Sequence, residues 1–355
     1  LFPISIHGTI ITFWRRRVMK KDSLNWGVLG CSNISDMAVL PAIQAAYNAK
    51  LYAISEEFAK HKIEIFRNKY NPVKAYDSFE ALLDDPEIDA VHIDLPNSYH
   101  YEWVQKAAKK KKHILCEKPL ACTAEQVKTM FEICRENGVK LMEAFAYRQS
   151  PVIKKAKELA DSGVIGKIRL IECYFIYPMS DLRNVRLIKE IGGGATYDVA
   201  CYNYNFIRYI AGKEPVSSWS SGEIGEKSHV DENVVTVLDF GGGLRGISHA
   251  SFNSGFRNEY TITGDDGIIV AYDGFNAQGT LTVTVKKGDD FFIRGRDYRD
   301  ISVECRDCYT LEVEQFGRHV LEGEAPLITE SDSYYNAVLT DKVLTDVYKE
   351  NKPVF

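Results

Sequence analysis

Leu24-Asn25-Trp26-Gly27-Val28-Leu29-Gly30-Cys31-Ser32-Asn33-Ile34-Ser35 is the stretch on which the fold turns. Residues 24–29 are short, mostly apolar and closed by glycine, as in a buried strand that ends in a tight turn. A helical stretch follows, and the alternation then recurs outward along the chain. Apolar or β-branched runs at 51–55, 90–93, 113–116 and 140–143, with an extended piece at 74–76, are separated by amphipathic segments. That alternation predicts a parallel sheet wrapped by helices. In the predicted helix 123–136, Val127, Met130, Phe131 and Cys134 make one buried stripe, which is core. The lysines at 109–112 close the predicted helix 101–112, where cations complement the helix dipole.

Past Phe145 the texture changes. One helix, 151–160, precedes runs at 168–177, 233–240, 244–252, 260–263, 268–272 and 280–285 separated by Gly and Asp turns, and the helical segment 334–350 is stopped by Asn351 and Pro353. Strands in succession after an alternating half predict a second domain of α+β type. The expected fold is α/β plus α+β: a doubly wound parallel sheet, then a large, mostly antiparallel sheet. The expected divisions are an extension at 1–21, a dinucleotide-binding domain at 22–144, and a substrate-binding and oligomerisation domain at 145–355. Residues 4–14 are too short to span a bilayer, and Arg15 to Arg17 follow the apolar stretch where a secretory signal carries its charge first.

The 355 residues are 45% hydrophobic and 26% charged, the balance of a folded globular chain of about two domains. A net charge of −5 supplies no basic excess for nucleic acid. Eight cysteines without regular spacing make no disulfide framework, and Cys305-x-x-Cys308 lacks a second pair, so the expectation is a reducing cytoplasm and no metal.

Three segments carry chemistry. The turn after the first strand is where a G-x-G-x-x-G loop brings backbone amides to a pyrophosphate; here Gly30 is present while Ser32 and Ser35 replace the other glycines. Ser55-Glu56 falls where a Rossmann unit reads the adenosine ribose. A carboxylate there accepts both hydroxyls and repels a 2′-phosphate, favouring NAD over NADP; alternatively Glu56 and Glu57 serve the N-terminus of the following helix. Glu117-Lys118-Pro119 puts a charged pair at the carboxyl end of a buried parallel strand, where doubly wound sheets bind ligands. Finally, Gly192-Gly193-Gly194 opens a segment in which Asp198 and Tyr202 stand four apart, on one face of a helix.

Together these blocks, with Leu95-Pro96-Asn97, His100, and Met142 to Phe145 followed by Tyr147-Arg148, resemble the glucose-fructose oxidoreductase and inositol dehydrogenase (Gfo/Idh/MocA) family nearly end to end. Asp198 followed by Tyr202, where many relatives carry D-x-x-x-H, is similar to the branch of glucose-fructose oxidoreductase, dimeric dihydrodiol dehydrogenase and xylose dehydrogenases. The resemblance implies a cytoplasmic NAD- or NADP-dependent oxidoreductase of sugars or polyols, assembled as a homodimer or homotetramer. It implies a catalytic Lys118 and a cofactor or substrate shell of Gly30, Ser32, Asn33, Ile34, Ser55, Glu56, Leu95, Pro96, Asn97, His100, Glu117 and Arg148. That branch commonly has a basic residue after the second strand; Glu56 departs from it. Oxidising an alcohol requires a base, and Tyr202 is the candidate, with the Lys118 ammonium lowering its pKa by about two units at a cost of about 3 kcal/mol. Asp198 would orient a substrate hydroxyl. A glycosidase-like enzyme that recycles its cofactor, and a dinucleotide-binding regulatory protein without turnover, are the alternatives.

Overall fold

The computed structural model describes residues 21–276, 278–288 and 297–350. The extension 1–18 and the stop at Asn351 and Pro353 lie outside the described residues. Strands β1 (Leu24–Leu29), β2 (Ala49–Ser55), β3 (Lys74–Tyr76), β4 (Ala90–Ile93), β5 (His113–Glu117) and β6 (Leu141–Ala144) form an all-parallel sheet in the order β3-β2-β1-β4-β5-β6. Its helices are α1 (Leu40–Ala45), α2 (Lys62–Tyr70), α3 (Phe79–Leu83), α4 (His100–Lys109) and α5 (Ala124–Asn137). The order reverses between β1 and β4, which opens a crevice at their carboxyl ends. Helix α5 shows how local sequence sets an element. Thr123 caps it by accepting from the Gln126 amide, Gly138 ends it at a φ of 71°, and the predicted apolar stripe is buried.

The second sheet comprises eight strands after α6 (Pro151–Asp161): β7 (Ile168–Ile176), then, beyond α7 (Cys201–Ala211), β8 (Ser217–Ile224), β9 (Asp231–Asp239), β10 (Arg245–Ser251), β11 (Arg257–Gly264), β12 (Gly267–Tyr272), β13 (Gly279–Lys287) and β14 (Asp297–Cys305). Their order is β14-β13-β12-β11-β7-β10-β9-β8, antiparallel except where β7 meets β10. Helices α6 and α7 cover one face. The opposite face presents Trp219, Val235 and Tyr272 to solvent.

Strands β8 and β14 were not expected, nor was α8 (Cys308–Leu321); α9 begins at Glu330 and runs to Glu350. Of these last two helices, α8 returns to the first domain, against α1 and β2, whereas α9 lies on β8 of the second sheet and reaches the first domain through α5. The Phe316 ring packs 5.4 Å from Trp26 of β1, and Asn48 donates to the Glu314 carbonyl at 2.8 Å. Gly317 permits that approach, since a Cβ there would fall 2.3 Å from Asn48 Nδ2.

Candidate active site

At the end of β1, Gly30 has a φ of 104°, and a Cβ on it would lie 2.2 Å from the Asp94 carbonyl oxygen. Only glycine fits this close crossing of two backbones. The two serines that replace glycines beyond it tie the turn down. Ser32 Oγ accepts from the Ile34 and Ser35 amides at 3.0 and 3.1 Å and donates to Asp94 Oδ2 at 2.6 Å. Ser35 Oγ also contacts Asp94 Oδ2 and lies 2.9 Å from the Gly30 carbonyl. The turn runs directly into a π-helical segment, Ser35–Val39. Asp94, at the carboxyl end of β4, is thereby the anchor of the turn, and burial raises its pKa.

Ser55 and Glu56 are placed differently from the expectation. Ser55 donates to the Val28 carbonyl, while the Glu56 carboxylate accepts from the Cys31, Phe58 and Ala59 amides at 2.8, 2.8 and 2.9 Å. Both are buried, and neither borders the cleft described below. Glu56 therefore serves the backbone of its own turn, and its oxygens are not turned toward a ribose. The cation on this side is Lys62, whose ammonium donates to the Cys31 carbonyl at 3.1 Å and lines the cleft.

Across the strand ends, Lys118 meets the second domain. Its ammonium donates to the Asp198 carbonyl at 3.0 Å and to Asp198 Oδ1 at 3.1 Å, and it stands 4.9 Å from the centre of the Tyr202 ring. Asp198 lies in a π-helical turn, Thr196–Ala200, that leads into α7, so Asp198 and Tyr202 do face the same side. The other Asp198 oxygen receives the Tyr177 hydroxyl and pairs with Arg186 Nε at 2.9 Å. Although burial opposes ionisation, the two cations hold the Asp198 carboxyl well below the usual carboxylate range. Lys118 is raised: burial, the largest single influence, opposes this, but Asp198, Cys201 and Glu117 together outweigh it.

Tyr202 runs against expectation. Burial pushes its phenol well above the ordinary value, with Glu117 and Asp198 adding to the effect. The Lys118 ammonium lies over the ring and is already engaged by Asp198, so it does not lower the Tyr202 pKa. Glu117 is raised as well, by burial and by Asp94, and its Oε1 has no hydrogen-bond partner among the described residues.

Ser32, Asn33, Ile34, Leu95, Pro96, Asn97, Glu117, Lys118, Asp198 and Tyr202 border one cleft of about 700 Å³ between the two sheets. Asn97 also bridges its walls, donating to the Gly192 carbonyl at 2.7 Å. His100 and Arg148 do not line it. His100 is buried between the Leu95 and Pro119 carbonyls, 2.8 and 2.9 Å from its ring nitrogens, and so braces the two turns. Arg148 is a correction: its guanidinium bonds Asn205 at 3.0 Å and Asp332 at 3.2 Å and stacks on Tyr209, clamping α7 to α9 outside the cleft lining. Residues absent from the expectation also line the cleft: Lys62, Asp94, Tyr177, Arg186 and Tyr309. Of these, Asp94 had a signal, as it ends a parallel strand just before Leu95-Pro96-Asn97.

The crossing at Gly30, the serine-braced turn and a Glu117 oxygen that makes no hydrogen bond among the described residues fit a dinucleotide at the carboxyl ends of the strands. Among the described residues no group of three or more His, Cys, Asp or Glu is set to hold a metal ion, and no helix is long and apolar enough to cross a membrane. Fold and site together define an NAD(P)-dependent oxidoreductase. The profile of an oxidoreductase family with an NAD-binding Rossmann fold matches residues 24–145, and that of the GFO/IDH/MocA C-terminal domain matches 153–270. D-xylose 1-dehydrogenase (NADP(+)) 2 of Haloferax volcanii is 31% identical over 87% of this chain and 92% of its own. Myo-inositol 2-dehydrogenase of Thermotoga maritima is 31% identical over 86% of this chain and 91% of its own. A 3-ketoreductase from Actinomadura kijaniata, solved with NADP and TDP-benzene, superposes with a TM-score of 0.85 at 25% identity, covering 92% of this chain and 98% of the other. The chain belongs to the Gfo/Idh/MocA oxidoreductase family.

Proposed function

We propose that this enzyme interconverts a hydroxyl and a carbonyl on a sugar, sugar derivative or polyol, with Lys118, Asp198 and Tyr202 around the reacting carbon. Bound NAD(P) supplies or accepts the hydride. The observation that carries this reading is the convergence of Lys118 from β5 with Asp198 and Tyr202 from the start of α7 on one cleft. A phenol that burial keeps protonated is a proton donor, so Tyr202 acts as the acid when a carbonyl is reduced, and the Lys118 ammonium polarises the same oxygen. Asp198, held ionised, fixes the Lys118 ammonium and accepts a substrate hydroxyl. Xylose and inositol dehydrogenases among the relatives support the substrate class.

The exposed Trp219, Val235 and Tyr272 on the open face of the second sheet support a homo-oligomer, and a reducing cytoplasm suits eight free thiols. The test is turnover: purified protein with NAD or NADP, screened against aldoses, inositols and the matching ketoses at the reduced-nicotinamide absorbance. Lys118→Ala is expected to lower kcat by about 10³ or more while NADP still binds. Near-normal turnover in that variant would remove Lys118 from the chemistry.

A further inference from the structure

We propose that the substrate carries an anionic group, a carboxylate or a phosphate, which Arg186 receives; this rests on the sugar-oxidoreductase reading above. Arg186 comes from the irregular segment after β7 and lines the cleft with its side chain 40% exposed. Its Nε stands 2.9 Å from Asp198 Oδ2 as an ion pair without hydrogen-bond geometry, and no hydrogen bond holds either terminal guanidinium nitrogen among the described residues. Charge alone thus holds the guanidinium beside Asp198 where it lines the cavity, with its hydrogen-bonding capacity unspent. Arg183, near the rim, is no equivalent, because Asp181 takes both its Nε and Nη2, at 2.9 and 3.0 Å.

The charge count in this corner points the same way. One carboxylate, Asp198, stands between two cations, Lys118 and Arg186. Across the cleft, Asp94 and Glu117 are buried, and Asp94 crowds Glu117; burial raises both carboxyls while Arg186 opposes the rise, so they offset the surplus only in part. A neutral sugar would leave that surplus to water, whereas a carboxylate or phosphate oxygen matches the geometry of the free guanidinium donors. Phe175, Tyr177, Met179 and Phe256 line the adjoining wall and offer the C–H face of a sugar ring an apolar surface.

The experiment compares a neutral hexose, the corresponding hexuronate and the hexose 6-phosphate with the NADP-loaded enzyme. One of the two anionic sugars is expected to exceed the neutral one in kcat/KM by tenfold or more. Arg186→Gln should shrink that ratio by about tenfold to a hundredfold, the worth of a charge-assisted hydrogen bond, with Arg186→Lys intermediate. Which arm wins distinguishes carboxylate from phosphate. Equal or better use of the neutral hexose, a uniform loss on all three in Arg186→Gln, or weakened NADP binding in that variant would each overturn the assignment. If none of the three turns over, the sugar reading itself is struck. Calorimetric binding of the hexuronate and the phosphate to the NADP complex then decides the charge preference alone: it stands if Arg186→Gln abolishes binding, and falls if wild type binds neither.

Discussion

Asp198 is the residue on which the cleft's electrostatics turn, because both of its oxygens and its carbonyl are engaged by groups from different parts of the chain. Its placement four residues from Tyr202 was legible in the sequence, as was Lys118 at the strand end. The state of Tyr202 was not legible, since a pKa depends on burial and on whether the nearby ammonium is free, and Asp198 has claimed it. Tyr202→Phe is therefore expected to cut carbonyl reduction by about 10² or more. Because burial holds the phenol protonated past neutrality, the wild-type reduction rate should show no loss attributable to this residue between about pH 6 and 8; a decline in that window that Tyr202→Phe removes would refute the acid role. Glu56 was misplaced for a similar reason: its position after β2 was visible, but the three amides that occupy it were not. Lys62 lines the cleft where Glu56 does not, and its ammonium would suit a 2′-phosphate. Lys62→Gln should weaken NADP about tenfold and NAD little; equal effects in fluorescence titrations would exclude that contact.

Elements were read best where apolar pattern is strong. Strands β1 and β4 match their expected spans, because buried parallel strands read as continuous apolar runs; the half-exposed edge strand β3 matches its span as well. Strand β8, with the sequence Ser-Ser-Trp-Ser-Ser-Gly-Glu-Ile, lies at a sheet edge and is largely solvated, so it carries little such pattern. Helix α8 buries Glu312, Glu314, Gln315 and His319 beside its apolar side chains, which erases the stripe that marks a helix. Buried acids also tune the elements that hold them. Glu143 in β6 accepts from the Leu120 amide, while burial pushes its pKa up to about 7. An unfolded glutamate ionises near pH 4.3, so the folded protein retains a proton the unfolded chain has lost, and stability falls as pH rises from there through 7. Glu143→Gln keeps the acceptor and removes the proton. Its melting temperature should thus decline less than wild type between pH 5 and 7, by a slope of up to about 1.4 kcal/mol per pH unit; superimposable profiles would contradict the assignment.

Across the whole molecule, two sheets meet at a cleft whose walls come from both, and the chain then crosses back to the first. The two-part architecture was legible from the change of texture near Phe145. The return of α8 was not, because a boundary drawn on composition says nothing about which surface a late helix covers. Phe316 is fully buried against Trp26, so Phe316→Ala should cost about 3–5 kcal/mol. Denaturant unfolding measures it, and a loss below about 1 kcal/mol would show that α8 is not integral to the first sheet. That return also bears on how the protein is made. During synthesis, β1 leaves the ribosome long before its partner helix exists, and at 5–20 residues per second the wait from Trp26 to Phe316 is roughly 15 to 60 s. Throughout that interval the nascent first half bears an uncovered aromatic surface at Trp26, of the kind that invites aggregation, until α8 emerges to cover it.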